Sequence, residues 1–477
     1  MPQTLTPSPS PTRLVNRVLA GATDIRQGEG RTVLASGMLF FLVLMAVMIL
    51  RPLRDAVGLR SGIETLRVLI LISVPLLLVA MPAFGYFISR VSRRILLTVS
   101  FRFCGAVLLG FYVVLAWLPE YAGQESVLVR SSGWIYVVFH SLFNLLLVSL
   151  FWALMADLFN IAESKRLFPA IAIGGTLGAV AGSACAGGIA HWLGPYALLL
   201  IAATLLEAAV WTARFVAWTR AGRSLQPTAS EPIGGQWLAG ITDLGHSSYL
   251  RGIALFILLT SMVYTMFHFT QLRIVAEAAA TMQQRTVLFA HIDVWAQLAT
   301  LLAQALLAGR AMRLLGVGMA LAVLPLVAIA GFASLAAMPT LAACILFGAT
   351  YRAVLNGFTS PSRETLFTVI AREQKFKAKS FLDTFMSRAG DASGALAEGS
   401  MFAMGPGIAG LAAAVLPLGL AWVALAAVLG RTQARLALGG TADIPVQSIR
   451  NPEREIRDES MMAAENRYDG ELSSPLR

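Results

Sequence analysis

The residues of this chain best placed to do chemistry are charges embedded in apolar sequence. Arg102, Glu207, Asp293, Arg352, Asp383, Arg388, Asp391 and Glu398 lie inside long apolar runs, and Arg273 closes another. Taking an ionised group out of water carries a large desolvation penalty, so such groups face one another or a water-filled path. Arg388, Asp391 and Glu398 follow one another at intervals of three and seven residues, so a single helical face carries all three. Two readings of Arg388 and Asp391 stand side by side: an intrahelical salt bridge, or a contact to a bound solute next to a carboxylate that takes up a coupling proton. Asp293, Asp391 and Glu398 are the candidates for that second role. Arg102 and Glu207 are each the single charge of their run and are expected to be structural.

Arg51, Arg54, Asp55 and Arg60 come directly after the first apolar run. Arg51 and Asp55, four residues apart, can pair on one helix face; alternatively Arg51 and Arg54 line a hydrated cavity and attract an anion. His140, His268 and His291 lie in or beside apolar runs, where a histidine is either a hydrogen-bonded core residue or a proton carrier. Trp152, Tyr264 and Trp295 read as space-filling aromatics that could also stack a base.

Twelve apolar runs position these groups, at residues 33–50, 66–88, 95–117, 132–156, 167–190, 194–218, 250–272, 286–309, 314–337, 340–358, 380–403 and 408–429. Each approaches the roughly 20 residues a helix needs to cross a bilayer core. The chain is 57% hydrophobic and 13% charged, against roughly 25% charged in soluble domains. Within lipid the backbone must satisfy its own hydrogen bonds, which selects helices for runs of this length. The fold class is therefore an all-α polytopic membrane protein with twelve transmembrane helices.

Counting alternate loops places Arg13 to Arg31, Arg90, Arg93, Arg94, Lys165, Arg166, Arg214, Arg220, Arg223, Arg310, Arg313, Arg363 to Lys379, Arg431 and Arg435 on one side. The bias of cations toward the cytoplasm makes that side internal, with both termini inside, and explains the net charge of +11 without nucleic acid. The first run starts late and lacks a small-residue cleavage pattern, so it reads as a span and not a signal peptide. Residues 1–32 and 436–477 are expected to be disordered cytoplasmic segments. The polar stretch 219–249 reads as a cytoplasmic linker between six-helix halves at 33–218 and 250–435.

Weak internal echoes support that division: Asp157-Leu158-Phe159 before a Gly-rich run against Glu364-Thr365-Leu366-Phe367 before a run with Gly390 and Gly394. Gly174, Gly178 and Gly182 recur every four residues and predict a close helix contact. Cys104, Cys185 and Cys344 show neither a disulfide framework nor a zinc spacing. Metal-protease, Walker-type and serine-hydrolase motifs are missing from the sequence, so neither an enzyme nor a cofactor or metal site is expected.

The segment Gly85-Tyr86-Phe87-Ile88-Ser89-Arg90-Val91-Ser92-Arg93-Arg94, after the second run, resembles the basic loop motif of the major facilitator superfamily. Ser149-Leu150-Phe151-Trp152, followed by Ala162-Glu163-Ser164-Lys165-Arg166-Leu167-Phe168-Pro169, resembles the ATP:ADP antiporter family of plastids and intracellular bacteria. The resemblance spans roughly residues 33–435. It implies a bacterial relative in the cytoplasmic membrane that exchanges nucleotides or another phosphorylated anion. It places the family's first-helix lysine on Arg54 and an acidic position of the fourth helix on His140; its seventh- and eleventh-helix positions fall near Phe269 and Asp391.

Together these readings predict a monomeric carrier, embedded in the bilayer, for a small anionic solute of the nucleotide class. Arg51, Arg54, Arg273, Arg352 and Arg388 would bind it, since arginine suits phosphate and carboxylate. Asp55, His140, Asp293, Asp391 and Glu398 would tune charge or couple a proton, and Asp157, Glu163, Lys165 and Arg166 would form a gate. Proton-coupled symport or export of another solute, and a non-transporting membrane assembly or sensor protein, are the alternatives.

Overall fold

A computed structural model describes residues 29–90, 93–117, 127–219, 247–306, 308–370, 379 and 381–438, excluding the side chains at 81–90, 93–94, 117, 161, 162, 165, 305–306 and 308–315. Among these residues all regular structure is helical. The helices are α1 (Gly30–Arg60), α2 (Ile63–Arg90), α3 (Arg93–Trp117), α4 (Val127–Leu158), α5 (Ile161–Leu193), α6 (Ala197–Thr219), α7 (Ser248–Ala278), α8 (Met282–Leu306), α9 (Ala308–Ala337), α10 (Leu341–Val354), α11 (Ser387–Ala403) and α12 (Gly407–Leu438). The segments 1–28 and 439–477, most of the expected linker and the Val91-Ser92 step of the loop motif lie outside the described residues.

Among the described residues, eleven helical spans are long and apolar enough to cross a membrane. The run expected at 380–403 is not among them. Its α-helical part, α11, has 17 residues, and a π-helical turn at Leu382–Met386 precedes it. Its charges and glycines also make it the least apolar of the expected spans. A second π turn, Leu355–Thr359, follows α10, and the helix continues through Ser360–Leu366. Such turns widen a helix locally and collect at functional sites.

The first span is longer than the apolar run suggested. Pro52 lies inside α1, which continues to Arg60. Arg51, Arg54 and Asp55 therefore belong to the helical bundle and not to a loop.

Glycine spacing determines two of the closest helix pairings. On α5, a Cβ at Gly174 or Gly178 would lie 2.2 Å from the carbonyl oxygens of Gly37 and Phe41 on α1, and one at Gly182 2.7 Å from that of Met45. On α11, a Cβ at Gly390 would stand 2.4 Å from the Leu258 carbonyl oxygen of α7, and at Gly394 2.2 Å from that of Met262. In lipid, where apolar side chains gain little by leaving one acyl environment for another, such backbone approach is a main source of helix association.

Buried apolar residues form three clusters. One draws on α1 and α3 to α6, with Leu39, Phe101, Phe151 and Ala202 among its members. A second is built from α7, α9, α10 and α12, with Phe256, Phe332, Tyr351 and Trp422 fully buried. The third is shared between the earlier and later helices: Ala56, Leu59, Leu66 and Val137 meet Phe269, Leu272, Phe289 and Ala395. It lies toward the Arg60 end of α1, and beneath it is a polar cavity.

Candidate functional site

A cavity of about 360 Å³ opens between α1, α2, α4, α7 and α11. Arg51, Arg54 and Asp55 reach it from α1, Ser73 from α2, and His140, Ser141 and Asn144 from α4. Tyr264, Thr265 and His268 of α7 and Arg388 and Asp391 of α11 complete its polar wall. The helical period accounts for much of this set: Arg51, Arg54 and Asp55 share a face, as do His140 with Asn144 and Tyr264 with His268.

Each guanidinium in the wall has a partner, and for Arg51 and Arg54 the partner is not the one expected from spacing alone. Arg51 does not take Asp55. It donates from Nη2 to the Tyr264 hydroxyl at 2.9 Å, and its Nη1 lies 3.5 Å from Asp293 Oδ1. Asp55 is claimed instead by the adjacent Arg54, whose Nε and Nη2 approach Oδ1 at 2.8 and 2.5 Å; the long arginine arm curls back where helical spacing alone would separate the two. His268 Nε2 stands 3.8 Å from the same carboxylate oxygen. Arg388 donates to Asp391 Oδ2 at 2.9 Å, and Thr265 donates to Oδ1 at 3.1 Å. The salt-bridge reading of Arg388 and Asp391 is thus realised, inside the cavity wall.

Arg352 and Asp293 form a second layer. Arg352 Nη1 donates to Asp293 Oδ1 at 2.5 Å, and both residues are buried. Asp293 is therefore shared by Arg51 and Arg352, a link from α1 through α8 to α10. His140 is 3% exposed, and neither of its ring nitrogens makes a hydrogen bond of normal geometry. Buried polar groups normally have partners, so an imidazole with unused capacity beside a void marks a place for a ligand or water.

Arg273 and Glu398, expected at the solute site, do not line this cavity. Glu398 is fully buried; Arg67 of α2 donates to it at 2.5 Å and Arg273 of α7 at 2.6 Å. Glu64 reaches both arginines from the exposed side. Arg67 lies over the Phe269 ring and Arg273 over Phe402, with its guanidinium carbon 3.8 Å from the ring centroid. This cluster adjoins the shared apolar cluster, between the cavity and the ends of α1 and α7. Sequence reading did not single out Arg67; its position near the start of an apolar run resembles that of any boundary arginine.

Two of the four expected gate residues, Glu163 and Arg166, make contacts near the start of α5. Glu163 forms a capping box with Asn160 at the start of α5. Arg166 grips Glu29 with two hydrogen bonds of 2.8 Å. Asp157 is exposed at the end of α4, and the Lys165 side chain lies outside the described residues. Arg102 and Glu207 pair with each other across α3 and α6, at 2.7 and 3.1 Å, which fits their structural reading. Asp383 meets Arg363 at 3.3 Å, away from the cavity wall. Among the described residues no group of three or more His, Cys, Asp or Glu could hold a metal ion.

No family model and no curated protein matches the sequence. Solved structures do share the fold. A nucleoside transporter, NupG, is similar at 13% identity with a TM-score of 0.54, over 87% of this chain and 98% of that one. A D-xylose-proton symporter gives 13% identity and 0.52, over 86% and 97%. An auto-inhibited peptide transporter of the POT family gives 13% and 0.55, over 87% and 98%. At such identities the likeness is one of fold. The chain is a polytopic membrane protein with the fold of major-facilitator-type transporters.

Proposed function

We propose that this protein is a secondary carrier of a small organic anion, working by alternating access between two six-helix halves. The observation that carries this reading is the cavity in which Arg51, Arg54 and Arg388 converge within the bundle. A guanidinium offers a planar fork of donors to phosphate or carboxylate, and a low-dielectric surround strengthens the attraction. Exchange of nucleotides or another phosphorylated anion is the form of this activity that the antiporter resemblance implies.

Two-half organisation is supported by the glycine-backed pairs: α1 with α5 and α7 with α11 hold matching places in helix order when α11, with its π turn, counts as the eleventh of twelve spans. Both termini and the basic loops would then face the cytoplasm, as the bias of positive charge predicts. The reading places the protein in a bacterial inner membrane. Arg67, Arg273 and Glu398, together with the shared apolar cluster, act as the outer gate: they join α2 to α7 and α11 and must part for the cavity to open outward. Within the cavity the arriving anion competes with Asp55 and Asp293 for Arg54 and Arg51. That competition loosens the α1–α8 link and ties binding to movement of one half against the other.

Counterflow in proteoliposomes tests this. Vesicles loaded with unlabelled anion should accumulate the labelled form without a pH gradient, and Arg54→Ala should abolish accumulation while the protein remains folded. Proton-coupled symport is the second reading, favoured by His268 beside Asp55; it requires that uptake collapse without a pH gradient. A protein that moves no anion under either condition is not a carrier of this class.

A further inference from the structure

We infer that the carried anion bears a single negative charge. This inference rests on the anion-carrier reading above and narrows it. Among the described residues, three guanidiniums face the cavity, those of Arg51, Arg54 and Arg388, against two carboxylates, those of Asp55 and Asp391. With histidines neutral, the wall keeps one positive charge. The buried pair behind it, Arg352 and Asp293, adds one charge of each sign and leaves the balance unchanged. The charge balance of the wall follows from its lining residues, and it bears on ligand charge where volume bears on ligand size.

An anion of one charge brings the site to neutrality. A dianion or trianion leaves uncompensated negative charge beside the buried Asp55 and the partly exposed Asp391, and the repulsion strengthens where water is excluded. Nucleoside di- and triphosphates fall on the disfavoured side; monocarboxylates and singly charged phosphodiesters fall on the favoured one. The rest of the wall is suited to a polar, weakly charged body. His140, Ser141 and Asn144 of α4 line the void, and His140 keeps unused hydrogen-bonding capacity. Tyr264 lines the void as well, its hydroxyl already held by Arg51 and its ring stacked with Tyr351. These neutral groups give specificity through hydrogen bonds, whereas the arginine surplus sets only the charge.

The test is a charge ladder on the full-length purified protein: mono-, di- and tricarboxylates of similar size, and nucleoside mono-, di- and triphosphates with a phosphodiester analogue. Thermal stabilisation and competition against counterflow are read together. Wild type should prefer the singly charged members, with affinity falling at least tenfold for each added charge. Asp55→Asn removes one negative charge from the wall and should move the preference to dianions, whereas Asp55→Glu keeps the count and the preference. Asp391→Asn provides the same shift if the Asp55 variant does not fold. Tightest binding of di- or trianions by wild type, or a preference unmoved by both neutralising variants, overturns the inference while leaving an anion carrier in place. Failure of every anion to bind or exchange overturns the carrier reading and this inference together.

Discussion

The cavity and the Arg67–Arg273–Glu398 cluster, the proposed outer gate, use the same chemistry in opposite ways. In the gate, Arg67 and Arg273 meet Glu398 and Glu64, two charges of each sign, with aromatic rings stacked against both guanidiniums. In the cavity, three arginines meet two aspartates around open space. A balanced and closed cluster is satisfied within itself, while an unbalanced and open one is where the proposed anion would add its charge. The presence of buried arginine therefore does not identify a binding site. What distinguishes the two regions is surplus charge beside a void.

The comparison is broken most severely by unbalancing the gate. Glu398→Ala should leave the buried Arg67 and the partly buried Arg273 with only the exposed Glu64, and loss of one partner from a buried ion pair costs about 3–5 kcal/mol. Denaturant or thermal unfolding in detergent would show it; unchanged stability would mean the gate arginines are hydrated. The corresponding change in the cavity should act on transport instead. Arg54→Gln is expected to lower exchange by about 100-fold, equivalent to roughly 2.7 kcal/mol of lost charge-assisted bonding, with a smaller effect on unfolding. A variant that unfolds as readily as Glu398→Ala would show that Arg54 is structural. Gly178→Ala sharpens the separation of packing from chemistry: its methyl group collides with the Phe41 carbonyl oxygen, and overpacking of this kind costs about 1–3 kcal/mol. Stability should fall with the anion preference unaltered. The smallest effect belongs to the half-exposed pair across α3 and α6; the double change Arg102→Gln with Glu207→Gln should leave anion exchange at the wild-type rate.

Much of this was legible in the sequence because hydrophobic length and helical spacing are local signals. The spans, the glycine stripe of α5 and the cavity face of α1 follow from run length and a 3.6-residue period. Arg51, Arg54, Arg388, Asp55, Asp391 and His140 were recognisable as charges or polar groups out of place in apolar sequence. The pairings were not legible. Arg51 meets Tyr264 across 213 residues and Arg67 meets Glu398 across 331, and no local period encodes which helices adjoin. Asn144, Ser141 and Thr265 escaped notice because uncharged polar residues are ordinary in membrane helices until a cavity is seen beside them. Arg273 and Glu398 were recognisable as unusual, but not that they lie outside the cavity wall, since spacing locates a face and not the depth at which the cavity ends. The gap at the eleventh expected span has a physical cause as well: a π turn and a short, charged helix do not carry the continuous apolar length of a simple span.

The most direct test of the central claim asks whether an anion occupies the arginine-lined space. In a protein freed of Cys104, Cys185 and Cys344, Asn144→Cys places a thiol on the cavity wall. A water-soluble maleimide should label it, a transported monoanion should slow that labelling several-fold, and adding Arg54→Ala should remove the protection. A thiol that stays unlabelled, or one labelled at the same rate with and without every anion of the ladder, would contradict the account.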